Sequence, residues 1–230
     1  MPGIDGTGQL FYQQVPGLER RFAVSTTRLR DSAASMDELV ADLDAEVSRA
    51  AGPGSRVTLV GESFGGALTL SYALAHPECV ERLVILNSFA HLAPTQLWLA
   101  YQVLRAMPWP MMQVVRKVNA RRMHSPGTDR DELRRFHALM RATTREGYLS
   151  RLRILRGYDL RNQLSALAPP VLYLAADGDT LVPAVQQARL MSELSPRASM
   201  RVLEGHGHSC LIAPGVDLGA IIDEWLDAPP

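Results

Sequence analysis

Hydrophobic residues follow two alternating patterns along the chain. Short runs rich in β-branched and aliphatic residues, each bounded by turn-forming residues, predict β-strands. Between them, apolar residues recur at spacings of three and four, which predicts helices that bury one face. The predicted strands cover residues 22–29, 57–60, 83–86, 171–174 and 200–203. Because strands that alternate with helices are joined by crossovers, we expect a mostly parallel sheet with helices on both faces.

The first helix signals lie on either side of the second predicted strand. Ser35 and Glu38 have the spacing of a capping box, which satisfies free backbone N–H groups at the start of a helix. Apolar residues follow on one face, and Gly52 marks the end. A second helical pattern begins after Ser63 and stops before Pro77. This part of the chain therefore predicts helix, strand, helix and strand in succession.

A different pattern occupies residues 88–165. The strand signal disappears, and helical spacings interrupted by Pro and Gly predict three or four short helices. This segment contains 14 basic and 5 acidic residues, a net charge of +9, whereas the whole chain carries 24 of each. Such an asymmetry marks a separate structural unit. We therefore predict a core of residues 1–87 and 166–230 and a helical cap segment, residues 88–165, inserted into it.

Composition is that of a soluble globular protein, with 47% hydrophobic and 21% charged residues. The balanced charge implies no nucleic-acid partner. The two cysteines are too few for a disulfide framework, and the N-terminus lacks the charged and apolar regions of a signal peptide. No apolar run approaches the roughly 20 residues of a bilayer span. We therefore expect a cytoplasmic protein without stable membrane insertion.

The candidate nucleophile lies in the sequence G-E-S-F-G-G at residues 61–66. A serine hydroxyl becomes a useful nucleophile when a base removes its proton and a tight turn presents its oxygen. A strand-to-helix turn does this, and it requires small residues such as Gly61 and Gly65 on both sides of Ser63. The helix that follows offers the free N–H of Phe64 to a developing oxyanion. The pattern predicts a nucleophile elbow.

A serine nucleophile also requires an acid and a histidine, in this order along the chain. Asp177 and Asp179 follow the strand predicted at 171–174. His206 and His208 follow the strand predicted at 200–203. Both pairs lie at the carboxyl ends of parallel strands, which is the edge where such sheets bind ligands. The chemistry alone leaves both choices open.

With these motifs the chain resembles the α/β-hydrolases, in which G-E-S-F-G-G matches the elbow, D-x-x-V-P the acid turn and the late G-H the base. The opening P-G-I-D-G-T-G and the closing G-V-D-L resemble an esterase, lipase and thioesterase branch that includes the plant phytyl ester synthases and diacylglycerol acyltransferases. The resemblance implies Asp179 as the acid and His208 as the base. It implies oxyanion donors at Ile4 and Phe64, and neither cofactor nor metal.

In these relatives, strands precede the P-G loop. Because Met1 directly precedes this loop here, we expect the N-terminal strands of the sheet to be truncated.

The resemblance implies a serine hydrolase that cleaves lipophilic or medium-chain acyl esters through an acyl-enzyme on Ser63. A thioesterase or an acyltransferase would use the same acyl-enzyme, and a non-catalytic binding protein could share the fold. Apolar residues of the cap segment could receive the acyl chain, or could simply pack the cap onto the core. These candidate substrate-binding residues are Trp98, Tyr101, Met107, Trp109 and Met111.

Overall fold

A computed structural model describes residues 1–112, 114–115 and 123–228. Its centre is a sheet of four parallel strands in the order β1-β2-β3-β4. Four of the predicted strands are confirmed, and each is longer than predicted. They are β1 Val57–Glu62, β2 Val80–Leu86, β3 Val171–Ala176 and β4 Ala198–Leu203.

Helices connect and flank these strands. The α-helices that lie wholly within the described ranges are α1 Val15–Leu18, α2 Met36–Ala51, α3 Phe64–Ala75, α4 Pro94–Ala106, α5 Arg130–Leu139, α6 Arg145–Leu155, α7 Ala184–Leu194 and α8 Leu218–Asp227. Single turns of 3-10 helix occur at Gln9–Phe11, Pro77–Cys79, Met140–Ala142, Leu164–Ala166 and Cys210–Ile212.

The helix N-cap predicted at the start of α2 is confirmed, because Ser35 Oγ accepts a 3.2 Å hydrogen bond from the Glu38 N–H. The Glu38 carboxylate accepts from the N–H of Ala34 at 3.1 Å.

The two faces of the sheet bury separate hydrophobic clusters. Successive side chains of a strand point to opposite faces. In β2, Leu83 and Ile85 accordingly belong to the cluster that α2, α3 and α7 cover. Val84 and Leu86 belong to the second cluster, which α1 and α8 cover. The predicted arrangement of a parallel sheet between two helical layers is confirmed.

The strand predicted at residues 22–29 is wrong. This segment has no regular secondary structure, and a groove of about 310 Å³ is lined by residues 22–26 and β1. β1 pairs with β2 and is an edge of the four-stranded sheet. The hydrophobic alternation of 22–29 reflects contact with the core instead, since Phe22, Val24 and Leu29 all pack against it.

The cap segment contributes to two hydrophobic clusters. From α4 and α6, Leu97 and Leu152 join the main core. Phe136 and Tyr148 form a smaller cluster with Ile212. The predicted helices are present in the described residues of this segment, and the division of the chain into core and cap stays a prediction. No helix in the described ranges is both long and apolar enough to cross a bilayer.

Candidate active site

Ser63 occupies a sharp turn between the end of β1 and the first residue of α3. Its backbone angles, φ 55° and ψ −118°, lie in a region that side chains disfavour. The turn is held from both sides. The Ser63 N–H donates to the carbonyl oxygen of Leu86 at 2.9 Å, and Ser88 Oγ donates to the Ser63 carbonyl at 2.7 Å. Such strain at a buried serine is typical of a nucleophile elbow.

The glycines of the elbow are explained by the space around them. A Cβ atom on Gly61 would lie 2.5 Å from the carbonyl oxygen of Gly65. A Cβ on Gly65 would overlap the backbone carbonyl of Met1. Because both obstacles are backbone atoms, no rotamer change can relieve them. The small residues that the sequence predicts on both sides of Ser63 are therefore required by the fold.

Asp179 and His208 form the closest polar pair of the site. Asp179 Oδ2 lies 2.6 Å from Nδ1 of His208, and both side chains are buried. The other carboxylate oxygen accepts the N–H groups of Leu181 and Val182 at 2.8 and 3.0 Å. These bonds fix the carboxylate, which in turn orients the imidazole. An acid and a base placed in this way can serve as two members of a hydrolytic triad.

The alternative acid and histidine have other partners. Asp177 accepts the N–H of Gly205 at 2.7 Å and so supports the loop that precedes His208. The ring of His206 contacts Ser125 Oγ at 3.0 Å. Of the two pairs that sequence chemistry left open, the structure brings together Asp179 and His208.

Asn87, at the end of β2, is a supporting residue that sequence reasoning missed. Its side chain donates to the carbonyl oxygen of His208 at 2.8 Å and accepts the N–H of Ala176 at 2.7 Å. Asn87 also has a positive φ of 47°. It thereby joins the ends of β2 and β3 to the histidine loop. A polar residue at the carboxyl end of a buried strand is the signal that could have indicated it.

Glu62, which lies between Gly61 and Ser63 in the elbow, also faces the imidazole. Its Oε1 lies 3.7 Å from Nε2 of His208. Burial raises the pKa of this carboxyl to about 7. Sequence reasoning assigned no role to Glu62, although a carboxylate beside the nucleophile is visible in the motif.

The protonation of His208 reflects opposing influences. Burial lowers its pKa, but the hydrogen bond and negative charge of Asp179 raise it, with a further contribution from Glu62. The net effect is a pKa above the ordinary value for histidine. Within the described ranges no hydrogen bond joins Ser63 Oγ to His208, so proton transfer requires the two groups to approach. Such bonds are often long without substrate.

The loop that carries Ile4 lies against the elbow. A Cβ on Gly3 would overlap the Glu62 carboxylate and lie 3.4 Å from Cβ of Ser63. Phe64 begins α3, so its N–H has no partner within the helix. The predicted oxyanion residues therefore flank the elbow, and their role stays a prediction.

Arg151 anchors this loop from the cap segment and was missed by sequence reasoning. Its guanidinium is fully buried and donates to the carbonyl oxygens of Ile4 and Asp5 at 2.8 and 3.2 Å. It also pairs with Asp31 at 3.2 Å. In the sequence, nothing about an arginine in this helical segment indicated that it would bind the Ile4 and Asp5 carbonyls and Asp31. The pairing connects the cap directly to the candidate oxyanion loop.

The five predicted substrate-binding residues do not form one group. Trp98 and Met111 are 49% and 52% exposed. Tyr101 packs against the main core, and Trp109 packs against the ring of Tyr148 with centroids 5.7 Å apart. Met107 follows the end of α4 and is half-buried. Their contact with a substrate stays a prediction.

The described residues contain no cluster of histidine, cysteine and acidic side chains suited to a metal ion.

A family model described as serine aminopeptidase, S33 matches residues 25–214. One relative is named "Putative carbamate hydrolase RutD", from Klebsiella pneumoniae subsp. pneumoniae, and is 26% identical over 76% of this chain and 67% of its own length. Phytyl ester synthase 1, chloroplastic, from Arabidopsis thaliana is 24% identical over 96% of this chain. The chain spans only 36% of the length of the plant protein.

Solved structures agree on the fold. A hydrolase from Pseudomonas aeruginosa PA01 superposes with a TM-score of 0.84 at 24% identity, covering 98% of this chain and 88% of that one. The family match covers most of the chain, and the resemblance seen in the sequence motifs is confirmed at the level of the superfamily. The chain therefore belongs to the serine aminopeptidase S33 family of the α/β-hydrolase superfamily.

Proposed function

We propose that the protein is a serine hydrolase that cleaves carboxylic esters with lipophilic or medium-chain acyl groups through an acyl-enzyme on Ser63. The observation that carries the proposal is the 2.6 Å contact between Asp179 and His208 beside a strained, buried serine. His208 would take the Ser63 proton during attack on the acyl carbonyl. Asp179 would orient the ring and stabilise its cation.

The backbone N–H groups of Ile4 and Phe64 would hold the oxyanion. Loss of one such donor costs about 10²–10³ in turnover in comparable enzymes. The anchoring of the Ile4 loop by Arg151 supports this assignment, since an oxyanion donor must be fixed before the reaction begins.

The nucleophile can be tested by covalent labelling with a fluorophosphonate probe. We expect wild-type protein to be labelled at Ser63 and Ser63→Ala to remain unlabelled. Ser71→Ala, which alters a serine on the same helix, is the matched control and should be labelled like wild type. Failure of the folded wild-type protein to label would favour a non-catalytic binding protein on this fold.

The acyl group can be tested with a series of p-nitrophenyl esters from acetate to dodecanoate. We expect kcat/KM to rise from acetate to the medium-chain esters, because a lipophilic site gains binding energy with each buried methylene. The highest kcat/KM on acetate would contradict the proposed substrate class while leaving the nucleophile assignment intact.

Acyl transfer is the second candidate, because a relative over 96% of this chain is named as a phytyl ester synthase. Hydrolase and transferase share the acyl-enzyme and differ in the acceptor that resolves it. Product analysis with an added long-chain alcohol or thiol distinguishes them. Dominant formation of the new ester or thioester in water would identify a transferase, and release of free acid would identify a hydrolase.

A further inference from the structure

The outer face of α4 is apolar and open to solvent. Trp98, Leu99 and Val103 are 49%, 58% and 49% exposed. At helical spacing these three side chains share one face, whereas Leu97 on the opposite side is buried. Monomeric proteins rarely leave several large apolar side chains exposed together without a function for the surface.

The exposed apolar residues are concentrated in this part of the cap. Among the described residues, the large hydrophobic side chains classed as exposed are Trp98, Leu99, Val103, Met111, Val114, Leu181 and Val202. Five of these seven lie within residues 98–114. A scatter of surface hydrophobics would need no explanation, but this concentration indicates a contact surface.

Positive charge lies beside the same face. Arg105 belongs to α4, and the guanidinium of Arg153 lies 6.0 Å from the ring centre of Tyr101 on that helix. Both arginines are exposed. Neither has a carboxylate within 4.0 Å in the ranges that the structure describes.

Negative charge is absent from this stretch of sequence. Residues 88–128 contain no aspartate or glutamate, although they include four arginines and a lysine. The excess positive charge is therefore not neutralised within the stretch. Among the cap arginines that the structure describes, Arg151 forms an ion pair with a core carboxylate, Asp31, and its guanidinium is buried. In the described part of the chain, ion pairs between the cap and the core therefore do not involve the arginines beside α4, which can contact another anion.

We propose that the outer face of α4 is a docking surface for anionic lipid membranes. A helix that presents large apolar side chains to one side, with arginines at its border, lies in the plane of a membrane interface. Its apolar residues enter the boundary of headgroups and acyl chains, while the arginines contact the anionic headgroups. The contact is peripheral and agrees with the absence of a bilayer-crossing helix in the described chain. It does not depend on the proposed hydrolase activity.

A membrane explains both the apolar face of α4 and the positive charge beside it better than a protein partner does. A protein groove would recognise the apolar anchors of α4 without requiring a stretch of 41 residues to lack acidic side chains. An anionic membrane attracts the whole basic stretch, because the surface potential acts on every arginine close to it. The lipid surface is therefore the occupant to which the charge pattern points.

The test is co-sedimentation with vesicles of phosphatidylglycerol and phosphatidylcholine, using the full chain with Ser63→Ala so that lipid turnover plays no part. We expect binding to vesicles rich in phosphatidylglycerol, weaker binding to pure phosphatidylcholine, and release by salt. The combined variant Trp98→Ser, Leu99→Ser and Val103→Ser should lose on the order of tenfold in binding. Replacing Arg105 or Arg153 with Gln should each cost about fivefold.

The matched control is Leu181→Ser with Val202→Ser, which removes the exposed apolar side chains outside the cap. It should bind like the parent protein. Circular dichroism confirms that each variant is folded. The proposal is overturned if the folded protein fails to bind vesicles rich in phosphatidylglycerol, or if the control loses as much binding as the α4 variant. It is also overturned if sedimentation shows a dimer that the α4 variant dissociates, since a second copy would then cover the face.

Discussion

Glu62 Oε1 lies 3.7 Å from Nε2 of His208, the ring nitrogen that does not bond Asp179. The imidazole is therefore placed between two carboxyl groups. Asp5 and the Met1 amino group lie near Glu62 and also influence its pKa. Because Nε2 must exchange a proton with the nucleophile in a triad, Glu62 stands where it can alter this exchange.

Replacing Glu62 with Gln should shift the acid limb of the pH profile to lower pH. In its ionised form Glu62 raises the pKa of His208, so its replacement by a neutral amide lowers that pKa over the pH range in which Glu62 is ionised. The base acts in its neutral form, and the variant should therefore keep its activity at a pH where the wild type has begun to lose it. The measurement is kcat/KM against pH for both proteins.

Asp177→Asn serves as the control for this profile, since it removes a nearby carboxylate that contacts Gly205 and not the imidazole. Its acid limb should coincide with that of the wild type. An unchanged limb in Glu62→Gln would show that Glu62 does not influence the base.

Asp179→Asn should reduce kcat by about 10⁴, because an amide neither holds the correct tautomer of His208 nor stabilises its cation. Asp177→Asn should retain kcat within about tenfold, since its amide oxygen can still accept the Gly205 N–H. Steady-state kinetics on one activated ester checks both. If Asp177→Asn lost most of its activity while Asp179→Asn remained active, the assignment of the acid would be reversed.

Ser63→Ala and His208→Ala should each reduce kcat by about 10⁶, because each removes a group that the attack on the acyl carbonyl requires. The same steady-state assay measures both variants.

Arg151→Met should reduce stability and turnover together. The substitution removes the buried ion-pair partner of Asp31, which keeps Arg28 and the Thr144 hydroxyl, and it frees the Ile4 and Asp5 carbonyls. These losses should cost about 2–3 kcal/mol in the free energy of unfolding. A displaced Ile4 loop should lower kcat by about 10²–10³. Urea denaturation and steady-state kinetics measure the two effects. Arg141→Met, at an exposed position, should change stability by less than about 0.5 kcal/mol.

Gly65→Ala should disturb the junction between the elbow and the N-terminal loop. The added methyl would meet the backbone carbonyls of Met1 and Pro2, and the strain should cost about 1–3 kcal/mol. Gly157→Ala is the matched control, since a Cβ there has open space and an ordinary φ. Thermal unfolding of the two variants tests the difference. Equal melting temperatures would show that the N-terminal loop can move away from the added methyl group without loss of stability.

Local rules predicted much of the fold, because they act over short stretches. The alternation in β2 set which side chains enter each core, and the Ser35 and Glu38 pair marked the start of α2. The same rules failed for residues 22–29. An alternating pattern records which side chains are buried, but it contains no information on whether another backbone lies within hydrogen-bond distance.

Residues of the candidate site could be predicted only where a short sequence motif indicates their chemistry. Ser63 stood out through its glycines, whereas local chemistry left Asp177 and Asp179 open. The family resemblance implied Asp179, and the position of the histidine ring agrees with it. Arg151 was not predictable, since its partners lie more than 100 residues away in sequence. Long-range partners of this kind depend on how the cap segment meets the core, which no local pattern encodes.

The groove beside β1 has a practical consequence for handling the protein. The Met1 amino group donates to the Val60 carbonyl at 2.5 Å, and the Met1 carbonyl accepts the Glu62 N–H. Any peptide fused ahead of Met1 would therefore start in the groove between β1 and residues 22–26, beside the strand end that leads into Ser63. An affinity tag placed there would change the neighbourhood of Ser63, so purification is better served by a tag at the opposite terminus.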